Sequence, residues 1–496
     1  MNNMAANCQP PQTSILARHT FESLEKWLYS EETRLLGLRE VELGEELQGR
    51  ELLRLLLQAH IESRGDGDVG TAIQRLDCNN TNKVLMYTHK RIHQRSIVTI
   101  FGKIFIKRVG YGIKGKASIH PLDEQLQLPA RIYSYEIQRR LVKKTVQGPF
   151  DEAIDSLCEA TGVSVPKRTA EDIVVEASKD FDSFYACREG NAEEEVGPIL
   201  VGSVDCKGIP MVKSELTQKI VRKGKGKKAQ KKKMAVVAAV FTQSPYFRTP
   251  EEVVESLFDT EKKKEKSKRV KPEKKRIWAS LKAGKDLFIN NVCEEMNRRD
   301  TGEKKFRVVV TDGERALQIR VGRIMNRVVL VLDFLHVLEK LWEAGHAFYG
   351  EGSDLAEEFV RKRALSILQG NVSQVVKGIR QMVTKRKLSN KKQKKLLGIA
   401  KYYYRNRFRM CYNEYLAKGL PIASGSVEGA CKNLIKDRME RSGMRWGSMM
   451  AEAMLKMRAI YLSGDFKEYW DYYVSKDQER IFPKNRWKPA ASVVLK

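Results

Sequence analysis

Four apolar runs between residues 198 and 333 constrain the fold of this chain more than any other feature. They are "PILVGSVD" (198–205), "MAVVAAVFT" (234–242), "FRVVVTD" (306–312) and "RVVLVLD" (327–333). Short runs rich in β-branched residues read as buried strands. Helical patterns fall between and after them: "RIWASLKAGKDLFINNVCEEMNRR" (276–299) reads as one amphipathic helix and "FLHVLEKLWEAGHAFY" as another. Apolar strands alternating with helices predict an α/β domain whose sheet is at least partly parallel. Three of the four runs end in aspartate, at Asp205, Asp312 and Asp333. Functional sites in such sheets lie beyond the carboxyl ends of the strands. One strand-end Asp is an ordinary turn residue; three sent to the same edge are more than packing requires.

A chain of 496 residues is expected to hold two to four domains. Leucines at helical spacing predict an N-terminal helical region over 1–78. A β-hairpin region, 79–130, centres on "SIVTIFGKIFIKRVGYG" (96–112), punctuated by Gly102. Residues 131–195 read as a helix-turn-helix-like DNA-binding region, in which Gly162 ends one helix and Thr169, Glu171 and Asp172 open the next. The second helix of that motif commonly enters the major groove, although helical hairpins without such a role are abundant. The α/β domain is assigned to 196–349 plus 421–464, an all-helical basic insertion to 350–420, and a tail to 465–496.

Charge is concentrated rather than spread. "RKGKGKKAQKKK" (222–233), "KKKEKSKRVKPEKKR" (262–276) and the acid-free segment 375–409 together carry the whole net charge of +29, leaving the remainder formally neutral. Such clustering reads as phosphate-facing surface, while Lys-rich loops are also simply solvated. In "KYYYRNRFRM" aromatics interleave with Arg405 and Arg407. That pattern suits base stacking with phosphate contacts, and equally tyrosines facing a helical core. The eight cysteines are scattered without a C-x-x-C pair, which argues against zinc and against a disulfide framework. Free thiols fit the cytosol. No basic-then-apolar leader opens the sequence, and the greasiest run is broken by Asp333 and His336, so no membrane role is expected.

One further acid stands apart. Glu428 sits in "SGSVEGACKNLIKDR" (424–438), where a small-residue segment turns into a basic helix. Helix capping explains it simply: Ser426 as N-cap and Glu428 in the first turn, favoured by the helix dipole. A second explanation joins it to Asp205 and Asp312, which lie 107 residues apart with Glu428 another 116 beyond, so that only folding brings them together. Phosphodiester cleavage or transfer uses such a set, since two Mg²⁺ ions about 3.5–4 Å apart activate the attacking oxygen and stabilise the departing one. Mg²⁺ takes hard oxygen ligands and keeps several waters, so a few carboxylates suffice. No Walker loop, nucleophile elbow or His/Cys metal spacing competes.

Around these acids the sequence resembles the ISKra-type insertion-sequence transposases of the DDE superfamily. The matching stretches are "VGSVDCKG", "VVVTDGERAL", "LVLDFLHVLEKLWEAG" and "YYYRNRFRMCYNEYLAKGLPIASGSVEGACKNLIKDRMERSGMRW". The resemblance implies an RNase H-like catalytic fold with Asp205, Asp312 and Glu428 as catalytic residues and ligands of two Mg²⁺ ions, Mn²⁺ serving as a substitute. It makes Asp333 and His336 auxiliary candidates through "DFLH", with Asp333 a rival to Asp312. It implies cleavage of transposon ends and joining of the 3′-OH to target DNA without a covalent enzyme–DNA intermediate. Double-stranded terminal repeats and target DNA, a homodimer and a cytoplasmic, nucleoid-associated location follow from it. Lys432, Arg438, Arg441 and Arg445 are then DNA-contact candidates alongside Arg405 and Arg407. Relatives carry Asp-Gly where this chain has Asp205-Cys206, which sets a thiol beside the site. Two rival functions remain: an RNase H-like nuclease that only hydrolyses, and an inactive transposase-derived DNA-binding protein.

Overall fold

The leucine-rich N-terminal stretch forms helices at Gln12–Leu28 (α1), Glu31–Arg34 (α2) and Leu38–Ser63 (α3). A computed structural model describes residues 11–77, 80–188, 197–215, 232–258, 270–483 and 487–490, excluding the side chains of 77, 80–83, 426–428 and 442. The chain divides into two units, Met1–Asp180 with Lys467–Lys496, and Phe181–Phe466.

In the first unit, Ile73–Asp77 (β1) pairs antiparallel with Asn80–Tyr87 (β2). His89–Thr99 (β3) and Gly102–Gly112 (β4) form the expected hairpin, longer than the run that announced it and closed at Thr99↔Gly102. Gln58 of α3 locks onto β4 through both amide atoms, donating to the Phe105 carbonyl at 2.7 Å and accepting from its N–H at 2.8 Å. Ile61, Ile97, Ile104, Ile106 and Leu122 bury together around this joint, Leu122 lying on the short helix Pro121–Gln125 (α4). Helices Tyr135–Thr145 (α5), Phe150–Thr161 (α6) and Lys167–Ala177 (α7) follow. Gly162 ends α6 as expected, its φ of 68° letting its N–H bond the Cys158 carbonyl at 2.7 Å. The second helix opens at Lys167 rather than near Thr169, because Pro166 already holds the φ a helix start needs. Its outer charges are paired locally: Lys167 with Asp151 at 2.8 Å, and Arg168 with Glu171 and Asp172 at 3.8 Å each.

The second unit begins with Phe181–Cys187 (α8) and is built on a mixed sheet. Its strands are Ile199–Pro210 (β5), Lys232–Gln243 (β6), Glu273–Ser280 (β7), Phe306–Thr311 (β8) and Val329–Leu332 (β9), in the order β7-β6-β5-β8-β9. β5, β6 and β7 are an antiparallel meander, while β8 and β9 run parallel to β5. Pro250–Phe258 (α9), Lys285–Arg298 (α10) and Arg315–Ile324 (α11) connect them. The single helix expected over 276–299 is corrected here. "RIWAS" is strand, with Ile277, Trp278 and Ala279 facing Ala239, Ala238 and Val237, and the helix starts only at Lys285 after Gly284. Apolar residues on strand and helix merge into one periodicity when the turn between them lacks proline. Lys232, Lys233 and 273–276 of the two Lys-rich inserts are strand, 270–272 lead into β7 without regular structure, and 222–231 and 262–269 lie outside the described residues.

Beyond β9 the chain is helical, with Phe334–Tyr349 (α12), Asp354–Leu368 (α13), Val372–Lys385 (α14), Asn390–Asn406 (α15) and Tyr412–Ala417 (α16). These helices share one continuous core with the sheet, in which Val201, Val308, Val310 and Val331 pack with Val337, Phe359, Ile367, Ile379 and Tyr403. Gly425–Ala430 (α17) runs into a π-helical turn, Cys431–Lys436, then Asp437–Met439 (α18) and Ser448–Ser463 (α19). The tail belongs to the first unit. Phe466–Ile481 (α20) buries Tyr469, Trp470 and Tyr473, with Tyr469 Oη bonded to the Ala177 carbonyl, and Lys488–Pro489 (β10) adds a strand beside β1. Among the described residues no helix is long and apolar enough to cross a membrane.

Candidate active site

Strand register decides where the three aspartates lie. Val204 pairs with Thr311, and Thr311 with Leu332, so Asp205, Asp312 and Asp333 each stand one residue further along three adjacent parallel chains. Neighbouring strands are about 4.7–4.9 Å apart, and alternate residues share a face. The three acids therefore continue the face that buries Val201, Val310 and Val331 against the helices.

Their surroundings then separate them. Asp333 is fully buried and its carboxylate is spent on structure. Oδ1 accepts the Leu335 N–H at 2.9 Å, capping α12, and the Ser424 N–H at 3.3 Å; Oδ2 accepts from His336 Nδ1 at 2.9 Å and from the Ser424 hydroxyl. The Asp333 bond raises His336 to about 9, with further help from the Asp312 charge, so its imidazole is cationic at neutral pH. Asp205 and Asp312 are half-buried and more open. Asp312 Oδ1 accepts the Glu314 N–H at 2.9 Å, and Asp312 Oδ2 accepts no hydrogen bond from a described residue. Burial lifts the Asp312 carboxyl above its ordinary range, the Glu314 N–H opposes this, and the negative charge of Asp205 adds to it. Asp205 Oδ1 accepts the Cys206 N–H at 2.6 Å and Oδ2 takes the Cys431 thiol at 3.2 Å. Burial pushes Cys206 up to about 11, and burial with the Asp205 charge pushes Cys431 higher still. Burial thus favours the protonated thiol at both positions.

Residue 428 belongs to α17, which begins at Gly425, so Ser426 lies inside the helix rather than capping it. Ser424, held by Asp333, fixes the start of α17; Cys431, at its other end, reaches Asp205. The backbone of Glu428 thus lies between two anchors on this sheet edge, and its side chain lies outside the described residues. Among the described residues no group of three His, Cys, Asp or Glu is placed to hold a metal ion. Asp205 and Asp312 are nevertheless the hard-oxygen donors that Mg²⁺ takes, and a divalent cation would relieve the repulsion that helps raise Asp312. The pair fits such an ion.

Several neighbours carried no signal in sequence. Lys285 Nζ meets Glu314 Oε1 at 2.5 Å, and Tyr402 Oη donates to the Asp312 carbonyl at 3.0 Å. Ser424 and Cys431 sit in a quoted motif, but their partners are 91 and 226 residues away. Of the basic candidates, Lys432, Arg441, Arg445 and Arg405 are exposed. Arg407 is half-buried, stacked on Tyr404 and Phe408 at 4.2 and 4.1 Å. Arg438 is corrected: it is fully buried, with its guanidinium 5.1 Å from the Trp446 ring, and offers no surface for DNA. No protein-family model matches this chain, and no curated protein matches it significantly.

Proposed function

We propose that the chain is a DNA transposase of the DDE type, with an RNase H-like catalytic core, acting as a dimer on double-stranded transposon ends and target DNA. The observation that carries this reading is the level register of Asp205 and Asp312 on adjacent parallel strands. Support comes also from the sheet order, in which a three-stranded meander is extended by two parallel strands that carry acids to one edge. Asp205, Asp312 and, by the resemblance, Glu428 would hold Mg²⁺, which supplies charge neutralisation at the scissile phosphate and an acidified water. The remaining residues position and bias. Asp333 ties the start of α12 to Ser424 and so sets where α17 begins. Cationic His336, coupled to Asp312, adds positive charge where a phosphate would approach.

Incubation of the purified protein with its element's end DNA and Mg²⁺ tests the reading. Wild type is expected to nick the end and to join precleaved ends to target DNA. Asp312→Asn and Glu428→Gln are each expected to lower both rates more than about 100-fold, beyond the 10–100-fold typical of residues that merely support metal ligands. Nicking without joining indicates a nuclease, and unchanged rates in both variants remove the proposal.

A further inference from the structure

The three tyrosines of "KYYYRNR" face three different ways. Tyr402 reaches the Asp312 carbonyl at 3.0 Å, Tyr403 is fully buried with its hydroxyl on the Val337 carbonyl at 2.8 Å, and Tyr404 is exposed. Tyr404 forms one wall of a groove of about 420 Å³ between α14 and α15. The polar side of α14, with Lys377, Arg380 and Lys385, forms the other, since Val375, Val376, Ile379 and Val383 turn into the core. Arg380 lies 5.6 Å from the Tyr404 ring, and Phe408, 73% exposed, continues the aromatic surface beneath Arg407.

Charge separates this groove from ordinary solvated surface. Segment 375–409 has thirteen Lys and Arg and no acid. None of Lys377, Arg380, Lys385 and Arg407 forms an ion pair among the described residues, whereas Lys395 of α15 reaches Glu343 at 3.4 Å. Unneutralised cations beside exposed aromatic rings are the pairing that unpaired nucleotides use, phosphates on the cations and bases on the rings. The volume also lies within the roughly 300–1,000 Å³ of small-ligand sites.

Geometry links the groove to the carboxylates. Two residues along an α-helix turn by about 200°, so Tyr402 and Tyr404 lie on nearly opposite sides of a helix about 10–12 Å across. A strand reaching the groove from the carboxylates therefore rounds α15. We propose that the α14–α15 groove holds unpaired bases of the strand flanking the phosphate at Asp205 and Asp312, with Tyr404 as the stacking platform. This rests on the DNA reading above.

Fluorescence anisotropy of the full-length protein tests it with two labelled probes, an oligothymidylate of about 15 nucleotides and a hairpin duplex. Tyr404→Ala is expected to weaken oligothymidylate binding about tenfold, to leave duplex binding unchanged, and to melt at the wild-type temperature, since the ring is exposed. Tyr404→Trp is expected to retain wild-type affinity. If Tyr404→Ala binds oligothymidylate as wild type does while duplex binding persists, the groove assignment fails and the DNA reading stands. If wild type binds the duplex and ignores oligothymidylate, the groove assignment fails again. If it binds neither probe, both readings fail.

Discussion

His336 donates to Asp333 across 2.9 Å, and that bond raises its pKa from 6.5 to about 9. A group whose pKa is raised by folding contributes stability that is fully present below its unfolded pKa and lost as pH climbs through the folded one. Stability of the second unit is therefore expected to fall between pH 6.5 and 9. In His336→Gln, which keeps a hydrogen-bond donor without the titrating charge, that part of the fall should be absent; urea midpoints across the window measure it. Much of this site was legible residue by residue. Apolar runs that stop at an acid announced Asp205, Asp312 and Asp333, although β5 itself continues to Pro210 and Asp333 is fully buried. Their division of labour was not legible. Asp333 caps α12 and bonds His336 locally, but Ser424 arrives from 91 residues away, and no local pattern encodes that meeting. The three tyrosines teach the same lesson, since core-facing and surface readings each hold for a different one of them.

Between Asp312 and α11 the chain turns at Gly313, with φ of 89°. A Cβ there would lie 2.4 Å from Tyr402 Oη and 2.8 Å from Leu332 Cδ1. Gly313→Ala is expected to destabilise the second unit by about 1–3 kcal/mol through backbone strain, with the clash against Tyr402 adding to it, read as a lower urea midpoint. Among elements, the sheet's inner strands and the hairpin were predictable from continuous apolar runs and a central glycine. β7 was not, because Ile277, Trp278 and Ala279 extend the apolar pattern of α10 backwards and only pairing with β6 makes them strand. The π-helical turn after α17 was equally silent. Cys431, Leu434 and Ile435 are buried in it, and π turns of this kind often accompany functional sites.

On the scale of the molecule, the segment assigned as a tail supplies part of the first unit's core. Tyr135 Oη donates to Asp477 at 2.8 Å, and Arg480 bridges to Asp180 at 2.8 and 3.0 Å. Each buried aromatic of α20 contributes on the order of 1.5–3 kcal/mol. A chain ending at Phe466 is expected to keep the second unit folded and to lose the cooperative unfolding of the first, which limited trypsin digestion with mass mapping would register as early loss of N-terminal peptides. Charge was the whole-chain property best read in advance, since clustered lysines and arginines are visible without a fold; the sharing of one core by sheet and insertion was not, as it depends on helices 350–420 folding back. The return of α20 and β10 also bears on synthesis. The N-terminal unit emerges from the ribosome first but is missing its closing helix until residues 181–466 have been translated, a delay of roughly 15–60 s at about 5–20 residues per second. The second unit is thus finished first, and the end that is born earliest waits longest to mature.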